Sequence, residues 1–265
     1  MRGGHILAAF ALGMLAPGCG SQSDDVSETG ETYTADRYRQ AIGDIARMDD
    51  VDQDEARKPG ELLAFAQLDR GDVVGDFIMG GGYVTRLLAT AVGGDGRVYA
   101  FQPEEFIGFN PDYGPQQDQT VRRYSDAEGN PIRVFPLRAP LTKPGWPEPL
   151  DTIVTVMNFH DLYLEQFPED TADEAIAALY EALKPGGTLV VVDHFAAEGG
   201  GVEAANTLHR MDADMALADL EAAGFVLEQT SDLYRRPADP RTANVFDDSI
   251  RGRTDQFAWR LRKPG

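Results

Sequence analysis

The sequence contains very little cysteine. Cys19 is the one cysteine among 265 residues, and only four histidines accompany it. One cysteine can form neither an intramolecular disulfide framework nor the cysteine cluster of a zinc finger, so both kinds of structure are excluded.

Basic residues are also scarce. The chain has 24 lysines and arginines against 44 aspartates and glutamates, which gives a formal net charge of −20. Nucleic-acid binding depends largely on Lys and Arg neutralising phosphates, so we expect no nucleic-acid partner. The same acidity disfavours electrostatic docking on an anionic membrane surface.

A long hydrophobic run is missing as well. The apolar stretch Ile6 to Ala16 follows a positively charged start, but a membrane-spanning helix needs about 20 residues. The stretch suits a secretory signal peptide over residues 1–18. The following Ala16-Pro-Gly-Cys19-Gly resembles the lipobox of bacterial lipoproteins, which implies export, a lipid on Cys19 and anchoring on the periplasmic side. A plain signal peptide with an incidental cysteine, or a cytoplasmic protein, is the alternative.

The chain after Cys19 divides into a tether and one domain. Residues 19–34 are polar and acidic, which predicts a flexible tether. Residues 35–265 alternate helical and strand-like patterns. We predict helices over 34–48, 59–68, 83–92, 171–183 and 212–223, strands over 72–79, 97–101, 132–137, 151–157 and 188–192, a final strand pair over 225–229 and 256–262, and a long loop over 108–130. Such alternation with nearly continuous apolar strands indicates an α/β fold with a parallel sheet covered on both faces.

A glycine turn follows the first strand. Asp76 lies in that strand, and Gly80-Gly81-Gly82 leads from its end into the next helix. Glycine lets backbone amides approach a ligand closely, and a helix N-terminus favours a carboxylate. A dinucleotide fingerprint would need its last glycine at Thr85, so NAD is disfavoured, and no Gly-Lys-Ser/Thr follows to form a phosphate-binding loop.

The wider pattern resembles a known superfamily. Asp76-Phe-Ile-Met-Gly80-Gly-Gly82, then Gly96-Arg-Val-Tyr-Ala, then Leu183-Lys-Pro-Gly-Gly187 is similar to class I S-adenosyl-L-methionine (SAM)-dependent methyltransferases over about residues 55–263. Other stretches resemble a bacterial group of predicted methyltransferases: Asn158-Phe-His-Asp161, Val192-Asp-His194, His209-Arg-Met-Asp212, Ala222-Ala-Gly-Phe225, Asn244-Val-Phe-Asp247 and Thr254-Asp-Gln-Phe257. The resemblance implies a Rossmann-like fold with a mostly parallel seven-stranded sheet, and SAM as cofactor.

The resemblance also implies roles for individual residues. The cofactor-binding set would be Asp76, Met79, Gly80, Gly81, Gly82, Gln102 and Asn158, and the substrate-lining pair would be Tyr83 and His194. Two positions depart from the superfamily pattern. Gln102 stands where an acidic residue usually holds the ribose, with Glu104 two residues on to compensate, and Ile78 replaces the first glycine of the turn.

Catalytic candidates follow the predicted fourth strand. Methyl transfer mainly needs alignment of the acceptor with the methyl group, and a base is needed only where the acceptor must lose a proton. His160 and Asp161 are the nearest bases, although a buried histidine can also be purely structural. We expect His209 and Arg210 to hold the segment before the last helix. His160, Asp161, His194 and His209 are metal-ligand types, but their spacing matches no known compact motif, and no metal site is predicted.

The sequence therefore predicts a SAM-dependent methyltransferase acting on a small-molecule acceptor. The alternative is an exported methyltransferase-like domain that has lost catalysis and binds another ligand. SAM is made in the cytosol and its charge hinders passage through a bilayer, which is the physical argument for that alternative.

Overall fold

The computed structural model describes Met1 and residues 32–265. Residues 2–18 of the predicted signal peptide, Cys19 and residues 20–31 of the tether lie outside the described residues, so these features stay predictions. Tyr33 already contacts the domain, since its hydroxyl donates to Asp69 over 2.8 Å. Among the described residues, none of the helices combines the length and apolarity needed to cross a bilayer.

One sheet organises the described chain. Within residues 32–265 it has seven strands in the order β3-β2-β1-β4-β5-β7-β6, and only β7 runs antiparallel to its neighbours. The strands are β1 Val73–Phe77, β2 Arg97–Phe101, β3 Val134–Leu137, β4 Leu150–Val156, β5 Leu183–His194, β6 Val226–Ser231 and β7 Gln256–Arg262. The predicted seven-stranded, mostly parallel sheet is confirmed.

Helices cover both faces of this sheet. They are α1 Arg39–Ile42, α2 Asp54–Arg57, α3 Pro59–Ala66, α4 Tyr83–Ala91, α5 Glu104–Phe109, α6 Tyr113–Arg122, α7 Thr171–Ala182, α8 Gly201–Leu208 and α9 Ala213–Ala222. Three 3₁₀ helices join them, at Ala35–Tyr38, Ile45–Gln53 and Phe159–Tyr163.

The core forms two layers, one on each side of the sheet. Successive strand residues point to opposite faces, so Val190 packs with α3 and α4 while Leu189 and Val191 pack with α7 and α9. Every residue of β1 is buried, because β1 lies inside the sheet and helices cover both of its faces.

The single helix predicted over residues 34–48 is wrong. The chain there forms a 3₁₀ turn, the short α1 and a second 3₁₀ helix. Asp44 has an extended backbone, and its carboxylate accepts from the amide of Ala46 over 2.9 Å. An Asp in that conformation caps a new helix rather than continuing the old one.

The long loop predicted over residues 108–130 is also wrong, because α5 and α6 occupy most of it. Pro115 lies in the first turn of α6, where proline costs no helical hydrogen bond. Gln117 donates to the carbonyls of Ala100 and Leu137 over 2.7 and 3.1 Å, which fastens α6 to β2 and β3. Tertiary contacts thus overcome a weak local pattern. Helix α8 was not predicted either.

Candidate functional site

A cavity of about 1140 Å³ opens at the carboxyl ends of the parallel strands. It lies beside β1 and β4, between which the strand order reverses. In open α/β sheets this switch point is where ligands bind. The wall includes residues of the β1–α4 turn, the segments after β4 and β5, and the 3₁₀ helix Ile45–Gln53 with α2, which we call the roof.

The glycine turn forms part of the floor. Gly80 and Gly82 have φ of +53° and +80°, a region that L-residues avoid. A side chain on Gly82 would place its Cβ 2.6 Å from Thr120 Oγ1. Gly80 and Gly81 line the cavity with Met79, whereas Gly82 does not. Gly82 is therefore needed for the close packing of the turn, and Gly80 and Gly81 present backbone to a ligand.

Two other residues at the switch point have left-handed backbone. Ile78 follows β1 with φ +63°, and Met157 follows β4 with φ +61°. Asn158 links the two strand ends, because its Nδ2 donates to the carbonyls of Ile78 and Val156 over 2.9 and 3.0 Å. Such strained residues cluster at ligand sites. Of the seven predicted cofactor-binding residues, Asp76, Met79 and Asn158 line the cavity together with Gly80 and Gly81.

Asp76 places a buried carboxylate at the cavity floor. Thr85 Oγ1 donates to it over 2.5 Å. Burial raises the pKa of Asp76 to about 6, although its hydrogen bonds with Thr85 and the charge of Arg86 favour the ionised form. An ionised carboxylate here at neutral pH is only partly compensated by the protein, so the floor favours a cationic ligand group.

Gln102 does not line the cavity. Its amide N–H continues the β2–β3 pairing by donating to Leu137 O over 3.0 Å, and its side chain is fully buried. Neither its Nε2 nor its Oε1 has a hydrogen-bond partner among the described residues. Glu104 is exposed and lies outside the wall too. The geometry does not place either residue at the cavity for the ribose contact that the resemblance implies.

Tyr83 closes the cavity against the roof. Its hydroxyl donates to Asp54 over 2.7 Å, and the guanidiniums of Arg47 and Arg57 lie 5.2 and 4.6 Å from its ring centre. The ring is buried and lines the cavity. Burial and the bond to Asp54 raise the pKa of Tyr83, so it stays a neutral hydrogen-bonded wall residue.

A carboxylate–histidine pair lies where β4 and β5 end, and its histidine lines the cavity. Asp193, in β5, accepts from the backbone N of His160 over 2.7 Å and lies 2.9 Å from its Nδ1. The other ring nitrogen, Nε2, is 3.4 Å from Asp161 Oδ1. Burial opposes protonation of His160, but Asp193 and Asp161 outweigh it and raise its pKa to about 9. Burial raises the pKa of Asp161 to about 6.

The other two described histidines adjoin this pair. His194 Nδ1 lies 2.7 Å from Thr254 Oγ1, and burial lowers its pKa to about 3. The ring of His209 meets that of His160 edge-on, with 5.5 Å between centres. His160, Asp161, His194 and His209 all line the cavity.

The expectation for His209 needs correction, and the one for Arg210 is confirmed. Arg210 is fully buried and pairs with Asp239 over 2.9 Å, which holds the segment before α9. His209 ends α8 with φ +52°, and its ring lies against His160 instead of bonding that segment.

Sequence reasoning missed Asp193 as a site residue. It lies 33 positions from His160, and only the pairing of β4 with β5 brings the two together. The available signal was an acidic residue beside a histidine at a strand's carboxyl end. The roof residues Asp50 and Arg57 were missed as well, and their sequence carries no comparable signal.

Comparisons with known proteins bear on the fold. No protein-family model and no curated protein sequence matches the chain. Among solved structures, it is similar to a SAM-dependent methyltransferase from Aquifex aeolicus, with 19% identity over 84% of this chain and 98% of that one and a TM-score of 0.52. The [4+2]-cyclase SpnF matches with 18% identity over 79% and 80%, and a TM-score of 0.53.

A third structure is a chain from the complex between the Haloferax volcanii Trm112 methyltransferase activator and a methyltransferase. It matches with 17% identity over 86% of this chain and 98% of that one, and a TM-score of 0.52. These likenesses, together with the strand order and the antiparallel β7, show that the chain has the Rossmann-like class I methyltransferase fold.

Proposed function

We propose that the protein is a SAM-dependent methyltransferase acting on a small-molecule acceptor. The single observation that carries the proposal is the glycine turn at the switch point, where Gly80 and Gly81 face a cavity of about 1140 Å³. Helix α4 begins directly after this turn, so its N-terminus favours the methionyl carboxylate of SAM.

The carboxylate of Asp76 favours binding of the cationic part of this ligand. SAM carries a sulfonium and an ammonium group, and the floor offers a buried carboxylate with only partial compensation from Thr85 and Arg86. A bound cation would stabilise the ionised form of Asp76. The apolar side chains of Met79 and Ile78 beside it suit the carbon atoms of the ligand.

The remaining cavity supports a small acceptor. Beyond the glycine turn its wall includes aromatic and imidazole rings, from Phe106, Phe109, Tyr113, His160, His194, His209 and Phe246, and it also carries charged and amide side chains, among them Asp50, Arg57, Asp161, Gln166 and Arg251. Pockets for small molecules combine aromatic rings with polar groups that fix orientation. The net charge of −20 is the argument against a nucleic-acid acceptor.

SAM supplies an activated methyl group, so this chain's residues need only position the acceptor and manage its proton. The nucleophilic atom of the acceptor would form the new bond to the methyl carbon as the carbon–sulfur bond breaks. His160 and Asp161 both line the cavity. At neutral pH His160 already carries its proton, because its pKa is about 9, whereas Asp161, with a pKa of about 6, is ionised and can accept the proton that the acceptor loses.

Calorimetric titration of the full chain with SAM and with S-adenosylhomocysteine tests the proposal. We expect both compounds to bind. Methyl transfer is then assayed with radiolabelled SAM against pools of small metabolites. The absence of heat together with an unchanged melting temperature would contradict it and favour the non-catalytic alternative, which the structures sharing the fold do not support.

A matched pair of variants tests the site. Gly80→Ala and Gly129→Ala both put a Cβ on a backbone with positive φ, and neither Cβ meets an atom within 4 Å. Each should cost about 1–2 kcal/mol of stability. Only Gly80 lines the cavity, so only Gly80→Ala should weaken SAM binding, by at least about tenfold, which is about 1.4 kcal/mol.

A further inference from the structure

Three potential metal ligands converge on the cavity wall. His160, Asp161 and His209 each place one ligand atom within 4.8 Å of the others. Ligand atoms around one tetrahedral transition metal, each about 2.0–2.2 Å from it, lie about 3.3–3.6 Å apart, and the 3.4 Å between His160 Nε2 and Asp161 Oδ1 fits this spacing. His160 is buried and the other two are partly buried, so this is not an exposed acidic patch.

Asp193 fixes the orientation of His160 as metal sites require. Its carboxylate is fully buried and lies 2.9 and 3.0 Å from Nδ1, and it also accepts from the backbone N of His160. A histidine that donates Nδ1–H to a carboxylate presents the lone pair of Nε2, and metal-ligating histidines nearly always have such a partner. That lone pair faces Asp161 Oδ1 at 3.4 Å. Two electron-rich atoms in this arrangement are stabilised by a shared cation, which is either a proton on Nε2 or a metal ion.

We propose that His160 Nε2, the Asp161 carboxylate and a ring nitrogen of His209 bind one divalent transition-metal ion. Two imidazoles and one carboxylate suit Zn²⁺, Co²⁺ or Fe²⁺ better than Mg²⁺ or Ca²⁺, which prefer oxygen ligands. Three protein ligands leave a position open for a further ligand, as in catalytic metal sites.

The metal site narrows the acceptor class, and this step rests on the proposed function. The open position would face the same cavity as the glycine turn, since all three ligands line it. The acceptor would then be a small molecule whose nucleophilic oxygen, nitrogen or sulfur can bind the metal. A bound metal favours the deprotonated form of such an atom.

His194 lies outside the ligand set and provides the matched control. Its Nδ1 is engaged with Thr254 Oγ1 at 2.7 Å, and its ring centre is 6.2 Å from that of His160. A proton on His160 Nε2, without any metal, would also satisfy Asp161. The experiment must therefore distinguish a metal ion from this proton.

The test is titration of the chelator-treated full chain with Co²⁺, followed by absorption, and with Zn²⁺, followed by calorimetry. We expect one ion per chain, visible absorption bands typical of Co²⁺ with nitrogen ligands, and proton release on binding. Asp161→Asn and His209→Asn should each weaken binding by at least about 100-fold, while His194→Gln should retain it. Asparagine tolerates the left-handed backbone at position 209, and circular dichroism verifies that each variant is folded.

Failure of the metal site can be distinguished from failure of the proposed SAM-dependent function. Absence of Co²⁺ and Zn²⁺ binding to the wild-type chain, or equal binding by Asp161→Asn and His209→Asn, would overturn the metal site. Titration of the metal-free chain with SAM decides the proposed function separately, because none of the three ligands belongs to the glycine turn.

Discussion

Ile78 is a β-branched residue in a conformation that normally favours glycine. Its φ of +63° costs an L-residue about 1–2 kcal/mol. The side chain is only 2% exposed and packs in the core, while Asn158 holds the carbonyl. Burial of this side chain therefore offsets the backbone strain, which explains how the chain tolerates isoleucine at the first glycine position of the turn.

Substitution of Ile78 by two small residues separates burial from strain. Ile78→Gly and Ile78→Ala both remove the buried side chain, but only glycine removes the Cβ that opposes positive φ. We expect Ile78→Gly to be more stable than Ile78→Ala by about 1 kcal/mol in urea unfolding. At Val154 in β4, which is not among the residues with positive φ, the order should reverse. If the glycine variant were the more stable one at both positions, or the alanine variant at both, backbone strain at Ile78 would be contradicted.

Asp76 should make the folded state less stable as the pH rises. Its pKa is about 6 in the folded state against about 3.9 in an unfolded chain. The folded state therefore binds more protons between these values, and stability falls as pH increases through them. Asp76→Asn should remove this dependence and stabilise the protein by about 2–3 kcal/mol at pH 8 but not at pH 3.5. Urea unfolding at both pH values measures the difference.

The same substitution should weaken SAM binding at pH 8, because the cation loses its carboxylate. A variant that is more stable yet binds SAM less well would match the expected trade-off between stability and function. Unchanged SAM affinity would remove Asp76 from the cofactor site.

At the scale of elements, one guanidinium connects the roof to the glycine turn. Arg86 in α4 forms two 2.6 Å hydrogen bonds with Asp50 in the 3₁₀ helix Ile45–Gln53. Its Nη1 also donates to Gly81 O over 3.0 Å and to Thr120 Oγ1 in α6 over 2.9 Å. Both partners of the ion pair are buried. The roof, the turn and α6 are thus held together at one point.

A double-mutant cycle measures this connection. Arg86→Met should destabilise the protein by about 3–5 kcal/mol, because Asp50 is left charged and buried. Adding Asp50→Asn should recover part of that loss, since the uncompensated charge is gone. The exposed pair Arg39–Asp36, 3.8 Å apart, is the control, and Arg39→Met should cost less than about 1 kcal/mol. Additive effects at Arg86 and Asp50 would contradict the coupling.

For the whole molecule, the sequence predicted the sheet far better than the roof and the site. The strands are runs of buried apolar residues, so local pattern and tertiary burial agree in β1, β4 and β5. The roof depends on pairs such as Arg47–Asp54, 2.6 Å apart, and Arg86–Asp50, which no local pattern contains. The meeting of His160 with Asp193 and His209 likewise depends on strand order and on the path after α8.

Export of the whole molecule stays a prediction, and mass spectrometry tests it. If the lipobox-like stretch is processed, the membrane fraction should contain a chain beginning at Cys19 and carrying diacylglycerol on its sulfur. Cys19→Ser should abolish this modification. An unmodified full-length chain in the cytosol would contradict export and would remove the difficulty of SAM supply.

The position of β7 bears on how the polypeptide assembles during synthesis. β7 lies between β5 and β6, although it follows both in the chain. A nascent chain that has reached residue 255 would hold the five parallel strands with one flank of β5 still bare, and β6 would have no strand beside it. Chaperones that bind unpaired strands would therefore have their target at this flank until β7 has left the ribosome and paired with β5 and β6.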